Sequence, residues 1–259
     1  MVSLVESLIL GLIQGLTEWL PVSSSGHLVV VKELFGWQPP VLFYVLLHLG
    51  TLSVVMVFFR RDILGILKAI LKRDFESEEG RIGLFIIVGS APTGVIGFVF
   101  KDFFEAFFDN LYVVGLSLLA TGVLLFFSDR IEGSKPLTYL DSFLVGIAQG
   151  ISIVPGISRS GVTIATGLLR GVKRKHAFMF SFLLSIPATL GATIVESGDL
   201  HLLVSGVDAA TVVVGVATSM VVGYLSLKAV QRILRKRKFH WFAPYCWAAG
   251  ALLLISQIL

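Results

Sequence analysis

The chain has 259 residues, of which 55% are hydrophobic and only 15% charged, and its mean hydropathy is +0.88. A water-soluble domain carries about 25% charged residues, so the composition excludes a soluble globular protein and points to an all-α integral membrane protein. The net charge of +4 would suit a nucleic-acid binder, but the basic residues follow membrane topology instead, and the single cysteine, Cys246, excludes a disulfide framework or a cysteine-based metal site.

Residues 2–35 form an apolar stretch interrupted near its middle by Pro21-Val-Ser-Ser-Ser-Gly-His27. Glu6 and the lack of a basic start argue against a cleaved signal peptide. Three windows follow that are long enough to cross a bilayer: Val41–Phe59, Ile82–Phe100 and Leu111–Phe127. A charged loop separates the first two, and its Glu76, Glu78 and Glu79 read as a solvated turn. Residues 141–169 repeat the opening pattern, an apolar stretch broken by Pro155-Gly-Ile-Ser-Arg-Ser-Gly-Val-Thr163. The last windows are Ala177–Val195, Ala209–Leu227 and Trp241–Leu259, and none of the six contains Asp, Glu, Lys or Arg. The halves of the two broken stretches are too short to span, so each reads as a re-entrant helix–loop–helix hairpin. Such backbone is tolerated at membrane depth only where protein or a wet cavity surrounds it.

The chain repeats itself. A gapless shift of 135 pairs Glu6 with Asp141, Ser7 with Ser142, Gly11 with Gly146, Gln14 with Gln149, Gly15 with Gly150, Ser23 with Ser158 and Ser25 with Ser160. At an offset of 126, Val88–Phe98 then matches Val214–Tyr224. Residues 1–135 and 136–259 are thus two copies of a hairpin plus three spans. An odd number of crossings inverts the second copy relative to the first, a design that puts a site between the copies near the midplane. Threading the elements leaves 18 of the 21 Lys and Arg on one face, which makes that face cytoplasmic and both termini external.

Gln14 and Glu18 are four apart and share one helix face. An ionisable residue at membrane depth faces a cavity or a partner. Ser23, Ser24 and Ser25 precede a new half-helix, and one of them serves as its N-cap on ordinary grounds. Ser158, Arg159 and Ser160 repeat that layout, so two helix N-termini, each a ready anion site, converge. Arg159 adds a planar fork suited to phosphate oxygens, and a salt bridge from it to Glu18 is compatible with that role. At the repeat offset Ser24 faces Arg159, Glu18 faces Ile153 and His27 faces Val162. One wall thus carries hydroxyl, carboxylate and imidazole, the other a cation. That split suits a reaction: a hydroxyl activated by an adjacent base, with Glu18 orienting His27 and Arg159 stabilising a transferring phosphoryl group. Whether Ser24 or His27 attacks is open at this level. His48 reads as a hydrogen-bonded core histidine. Trp19, Trp37, Trp241 and Trp247 read mostly as interface anchors.

QGLTEWLPVSSSGH and PGISRSGVT resemble the two signature segments of the undecaprenyl-diphosphate phosphatase family of the bacitracin-resistance type, (E/Q)xxxE with PVSSxGH and PGxSRSxxT. The resemblance extends over nearly the whole chain. It implies a plasma-membrane enzyme that removes the terminal phosphate of a C55 polyprenyl diphosphate at a site opening to the external face, with a divalent cation, Mg or Ca, as helper. Carried over by position, Glu18, Ser24, His27 and Arg159 are catalytic. Gln14, Ser23, Ser25, Ser158, Ser160 and Thr163 bind substrate, and Gln14 and Glu18 are the metal candidates. Gln14 stands where many members have Glu, which puts that metal site in doubt. The expected partners are the polyprenyl diphosphate and the bilayer, with a homodimer left open and nucleic acid not expected. The alternative is a polyprenyl-phosphate flippase using the same anion site.

Overall fold

The computed structural model describes residues 2–108, 110–196 and 208–258, so Leu259 of the sixth window lies outside the described residues. Among them the regular structure is helical, apart from one isolated bridge between Lys135 and Val172. The first hairpin is α1 (Leu4–Trp19) and α2 (Ser24–Phe35), followed by α3 (Val41–Phe58), α4 (Arg60–Leu71), α5 (Glu78–Val99), the short α6 (Lys101–Glu105) and α7 (Leu111–Ser128). The second is α8 (Tyr139–Ile151) and α9 (Arg159–Leu169), followed by α10 (Arg174–Glu196), α11 (Ala209–Arg235) and a 3₁₀ turn (Phe239–Phe242) leading into α12 (Ala243–Ser256). Among the described residues six helices are long and apolar enough to cross a membrane, and they fall on the six predicted windows. The chain is a multi-pass membrane protein.

The acidic pair in the repeat has a local cause. Ser3 Oγ accepts from Glu6 N–H at 3.2 Å while Glu6 Oε2 accepts from Ser3 N–H at 2.6 Å. Thr138 and Asp141 form the same reciprocal capping box at 3.3 and 3.2 Å. Each box satisfies two of the donors that a helix start leaves without intrahelical partners. The region read as a charged loop is partly helical: it contains α4, and Glu78 and Glu79 open α5 behind the N-cap Ser77. Acidic side chains in a first turn complement the helix dipole.

Packing exchanges elements between the two halves. α1 packs against α11, and α8 packs against α5. Glycines allow both approaches: a Cβ on Gly11 would sit 2.5 Å from the Gly215 carbonyl oxygen, and one on Gly146 would sit 2.0 Å from that of Gly89. The sequence shifts of 135 and 126 pair Gly11 with Gly146 and Gly89 with Gly215. In lipid, where apolar burial does not drive association, close backbone approach through small residues is what joins helices. Gly146→Ala is therefore expected to cost roughly 1–3 kcal/mol by overpacking, read as a lower unfolding midpoint in detergent. Gly94→Ala, which meets nothing within 4 Å, is expected to leave the midpoint in place.

Asp129 ties three elements at one end of the bundle. His240 Nδ1 donates to its Oδ2 at 2.6 Å, Arg174 Nη1 pairs with its Oδ1, and Arg174 Nη2 donates to its backbone carbonyl at 3.0 Å. Burial alone would push this carboxyl up, but the His240 and Arg174 hydrogen bonds and the guanidinium charge outweigh it and hold it below the ordinary carboxylate range. A depressed carboxylate lends stability that is whole above its ordinary range and disappears as pH falls through the folded value. The unfolding midpoint is expected to fall as pH drops below about 4, and Asp129→Asn should flatten that part of the curve.

Candidate active site

Both hairpins break for readable reasons. Pro21 forces Leu20 into extended geometry (φ −64°, ψ 143°) and ends α1. Val22 N–H then bonds the Leu20 carbonyl at 2.8 Å, and Ser23 takes a positive φ of 70°, with its Oγ accepting from Gly26 N–H at 3.2 Å to cap α2. In the second hairpin Gly156 has φ 94°, and a Cβ there would lie 2.5 Å from the Val114 carbonyl oxygen, so only glycine fits. Ser158 caps α9 through Gly161 N–H at 3.1 Å. The two breaks touch. A Cβ on Gly26 would meet Gly156 Cα at 3.1 Å, one on Gly161 would meet Pro21 Cβ at 3.2 Å, and Ser160 Oγ donates to the Leu20 carbonyl at 3.4 Å.

Glu18 lies at this junction with its side chain 3% exposed. Ser24 Oγ donates to its Oε2 at 2.6 Å, and Gln14 Nε2 donates to the same oxygen at 2.9 Å. Arg159 pairs with Oε1 through Nη2 and donates to Thr189 Oγ1 through Nη1 at 2.7 Å. The predicted meeting of carboxylate and guanidinium is therefore present, with the serine in direct contact. The Arg159 side chain is 22% exposed, so these contacts do not enclose it fully.

His27 departs from expectation. It makes no hydrogen bond to Glu18 or Ser24. Its Nδ1 donates to the Ser23 carbonyl at 2.7 Å, one turn back, and its Nε2 lies 2.6 Å from the Tyr245 hydroxyl. A carbonyl only accepts, so Nδ1 carries the proton and Nε2 accepts from the phenol. The rings of His27 and Tyr245 lie within 8° of parallel, 5.7 Å apart. The register of α2 explains the change: it gives Ser24 to the carboxylate and turns His27 toward α12.

The remaining predicted side chains line the junction and brace it. Ser23 and Ser25 lie 3.3 Å apart, and Ser158 and Ser160 lie 3.4 Å apart. Thr163 bonds the Arg159 carbonyl at 2.7 Å and Ser181 Oγ at 2.5 Å, so it fixes α9 to α10. Sequence reasoning missed Thr51, which accepts from Gln14 Nε2 at 3.5 Å, together with Thr189 and Tyr245. His48 does bond a carbonyl, that of Tyr44 at 2.8 Å, yet its Nε2 also lies 3.5 Å from Glu18 Oε2. The polar run of His48 and Thr51 inside an apolar span was the available signal. Tyr245 had none.

The sequence profile of the family described as bacitracin resistance protein BacA matches residues 7–252. The chain belongs to that family. It is 45% identical to the undecaprenyl-diphosphatase of Carboxydothermus hydrogenoformans over 97% of each chain. It is 43% identical to that of Desulfosudis oleivorans over 96% of this chain and 97% of the relative, and 36% identical to that of Methanosphaera stadtmanae over 100% and 99%. In this BacA family member the described residues hold no cluster of three or more His, Cys, Asp or Glu that would form a protein-only metal cage. A magnesium-type site needs fewer protein ligands, because it takes one or two carboxylates together with substrate phosphates. Glu18 supplies such a carboxylate, and Gln14 Oε1, buried and without a hydrogen-bond partner, supplies a second hard oxygen. The donor set fits a diphosphate-bound divalent cation.

Proposed function

We propose that this chain hydrolyses the terminal phosphate of undecaprenyl diphosphate, or a similar polyprenyl diphosphate, regenerating the monophosphate lipid carrier for cell-envelope synthesis. The observation that carries this reading is Ser24 Oγ at 2.6 Å from Glu18 Oε2, with Arg159 on the other oxygen of the same carboxylate. A terminal phosphate entering between the starts of α2 and α9 meets two helix N-termini and the Arg159 fork. As the phosphate takes the guanidinium, Glu18 keeps Ser24 as its closest donor. Ser24 Oγ then attacks phosphorus, its proton passes to Glu18 Oε2, and the bond to the bridging oxygen breaks with its electron pair leaving on the lipid monophosphate. In the second half a water attacks the phosphoserine, the P–Oγ bond breaks, and Ser24 is reprotonated from Glu18 as phosphate leaves. His27, held by Ser23 and Tyr245, stands beside α12 at the start of α2, and the serine pairs 23/25 and 158/160, with Thr163 behind them, keep both helix starts in place for the anion.

Gln14 Oε1 and the Glu18 carboxylate are the residues that would hold a magnesium or calcium ion beside the diphosphate. Such an ion would neutralise charge on the phosphoryl oxygens. The chain works as two inverted copies, residues 1–135 and 136–259, each a re-entrant hairpin plus three spans. The matched capping boxes, caps and glycine contacts support that reading. The basic residues support an orientation with external termini, and the family resemblance supports a plasma-membrane site opening outward. Carriage of the lipid without hydrolysis is not favoured, because a gate has no use for a hydroxyl on a buried carboxylate.

The test is phosphate release by purified protein from a polyprenyl diphosphate in detergent. Release is expected, with loss of most activity on chelation by EDTA and recovery on adding Mg or Ca. Lipid binding without release would overturn the enzymatic reading, and release indifferent to EDTA would overturn the role of the cation.

A further inference from the structure

A second surface lies away from the junction. α4 starts one residue after the α3 span ends at Phe58, with buried Phe59 as the hinge. It folds back along the start of α5: a Cβ on Gly65 would sit 3.1 Å from Glu79 Cγ, and one on Gly83 would sit 3.0 and 3.2 Å from Ile70 and Ile66. Ile66 and Ala69 are buried by this contact. Arg73, at φ 55°, ends the turn before Ser77 caps α5. A helix joined at one end to the close of a span and seated on the opening of the next lies along the boundary that both spans share.

The face of α4 turned away from α5 is amphipathic. Leu64, Leu67 and Leu71 recur at helical spacing and are 55%, 51% and 84% exposed. Beside them stand Arg61, Lys68 and Lys72, all exposed, against one acid on the helix, Asp62. An exposed leucine row flanked by lysine and arginine marks a helix that lies in the interface plane of a bilayer. An independent observation places that plane. Elsewhere on the basic face, Arg130 lies 4.2 Å from the Phe126 ring, Lys238 lies 3.9 Å from Trp241 and Lys228 lies 4.4 Å from Tyr224. Aromatic rings at headgroup level with cations reaching past them form the anchoring belt of a membrane–water interface.

We infer that α4 is a docking surface for anionic phospholipid. Leu64, Leu67 and Leu71 enter the acyl boundary of the leaflet on the basic face, and Arg61, Lys68 and Lys72 take its phosphodiester headgroups. Charge decides the occupant, because a zwitterionic headgroup offers no net attraction to three clustered cations, whereas an anionic one does. This inference is independent of the reaction proposed above.

The sole cysteine, Cys246, is buried, so a nitroxide on Leu67→Cys reports from α4 alone. In vesicles of phosphatidylcholine with one third phosphatidylglycerol, that label should relax with oxygen and stay shielded from a water-soluble nickel chelate. In the second measurement, spin-labelled phosphatidylglycerol should associate with the wild-type chain at least twofold more strongly than spin-labelled phosphatidylcholine. The triple variant Arg61→Gln, Lys68→Gln, Lys72→Gln should lose at least half of that preference while releasing phosphate in detergent at the wild-type rate. A label open to the nickel chelate overturns the placement of α4. A preference unchanged in the triple variant overturns the lipid assignment.

Discussion

Arg159→Ala is expected to reduce phosphate release by about 10³-fold or more, the upper end of what a single donor to a developing oxyanion contributes. Two losses combine. The transferring phosphoryl group loses its fork, and Glu18, buried at the junction, loses the partner on Oε1. Breaking a buried ion pair from one side costs roughly 3–5 kcal/mol, so the unfolding midpoint should fall as well. Arg159→Lys separates the two: a lysine restores the charge beside Glu18 but not the planar pair of donors, so stability should recover more than activity. Thr189→Ala, which frees Nη1 without touching the charge, should give a smaller loss of activity than either. Activity of Arg159→Ala within tenfold of wild type would remove the guanidinium from the reaction.

The second large effect is expected at the Ser24–Glu18 pair. Ser24→Ala and Glu18→Gln should each lower turnover by about 10³-fold, since nucleophile and base serve one step and groups acting as a unit are non-additive. The double variant should therefore be no slower than the slower single one. A covalent phosphate should be trapped on Ser24 in an acid-stable form. Trapping it on His27, where phosphate would be acid-labile, would reverse the assignment. Additive losses in the double variant would place the two residues in different steps.

The reach of the sequence is explained by what each feature is made of. The spans were legible because length and apolarity follow directly from bilayer thickness. The breaks were legible because Pro21 and the Ser–Gly runs cannot continue a helix, and the approach of Glu18 to Arg159 because buried opposite charges seek each other. The partner of His27 was not legible. It depends on which residue of α2 faces which wall, and a shift of one position on a helix turns a side chain by about 100°. Thr189 was hidden for another reason: threonines are common in membrane helices, most bonding their own backbone, as Thr193 does to the Thr189 carbonyl. α4 was masked by its own charges, which drew the eye from the leucine spacing. Three adjacent serines looked like a surplus of chemistry, yet Ser23 caps a helix and Ser25 bonds to it, leaving Ser24 alone on the carboxylate.

The exchange of helices between the halves governs how the molecule is made. α1 leaves the ribosome first but rests on α11, whose contact residue Gly215 is synthesised about two hundred residues later. Until then α1 has only α2 and α3 beside it, whereas α8 finds its seat on an α5 already in place. The partners of Glu18, from Gln14 to Arg159, are all made before α11, but a chain cut short there leaves α1 without the helix whose backbone it approaches so closely, so the last long helices close the assembly.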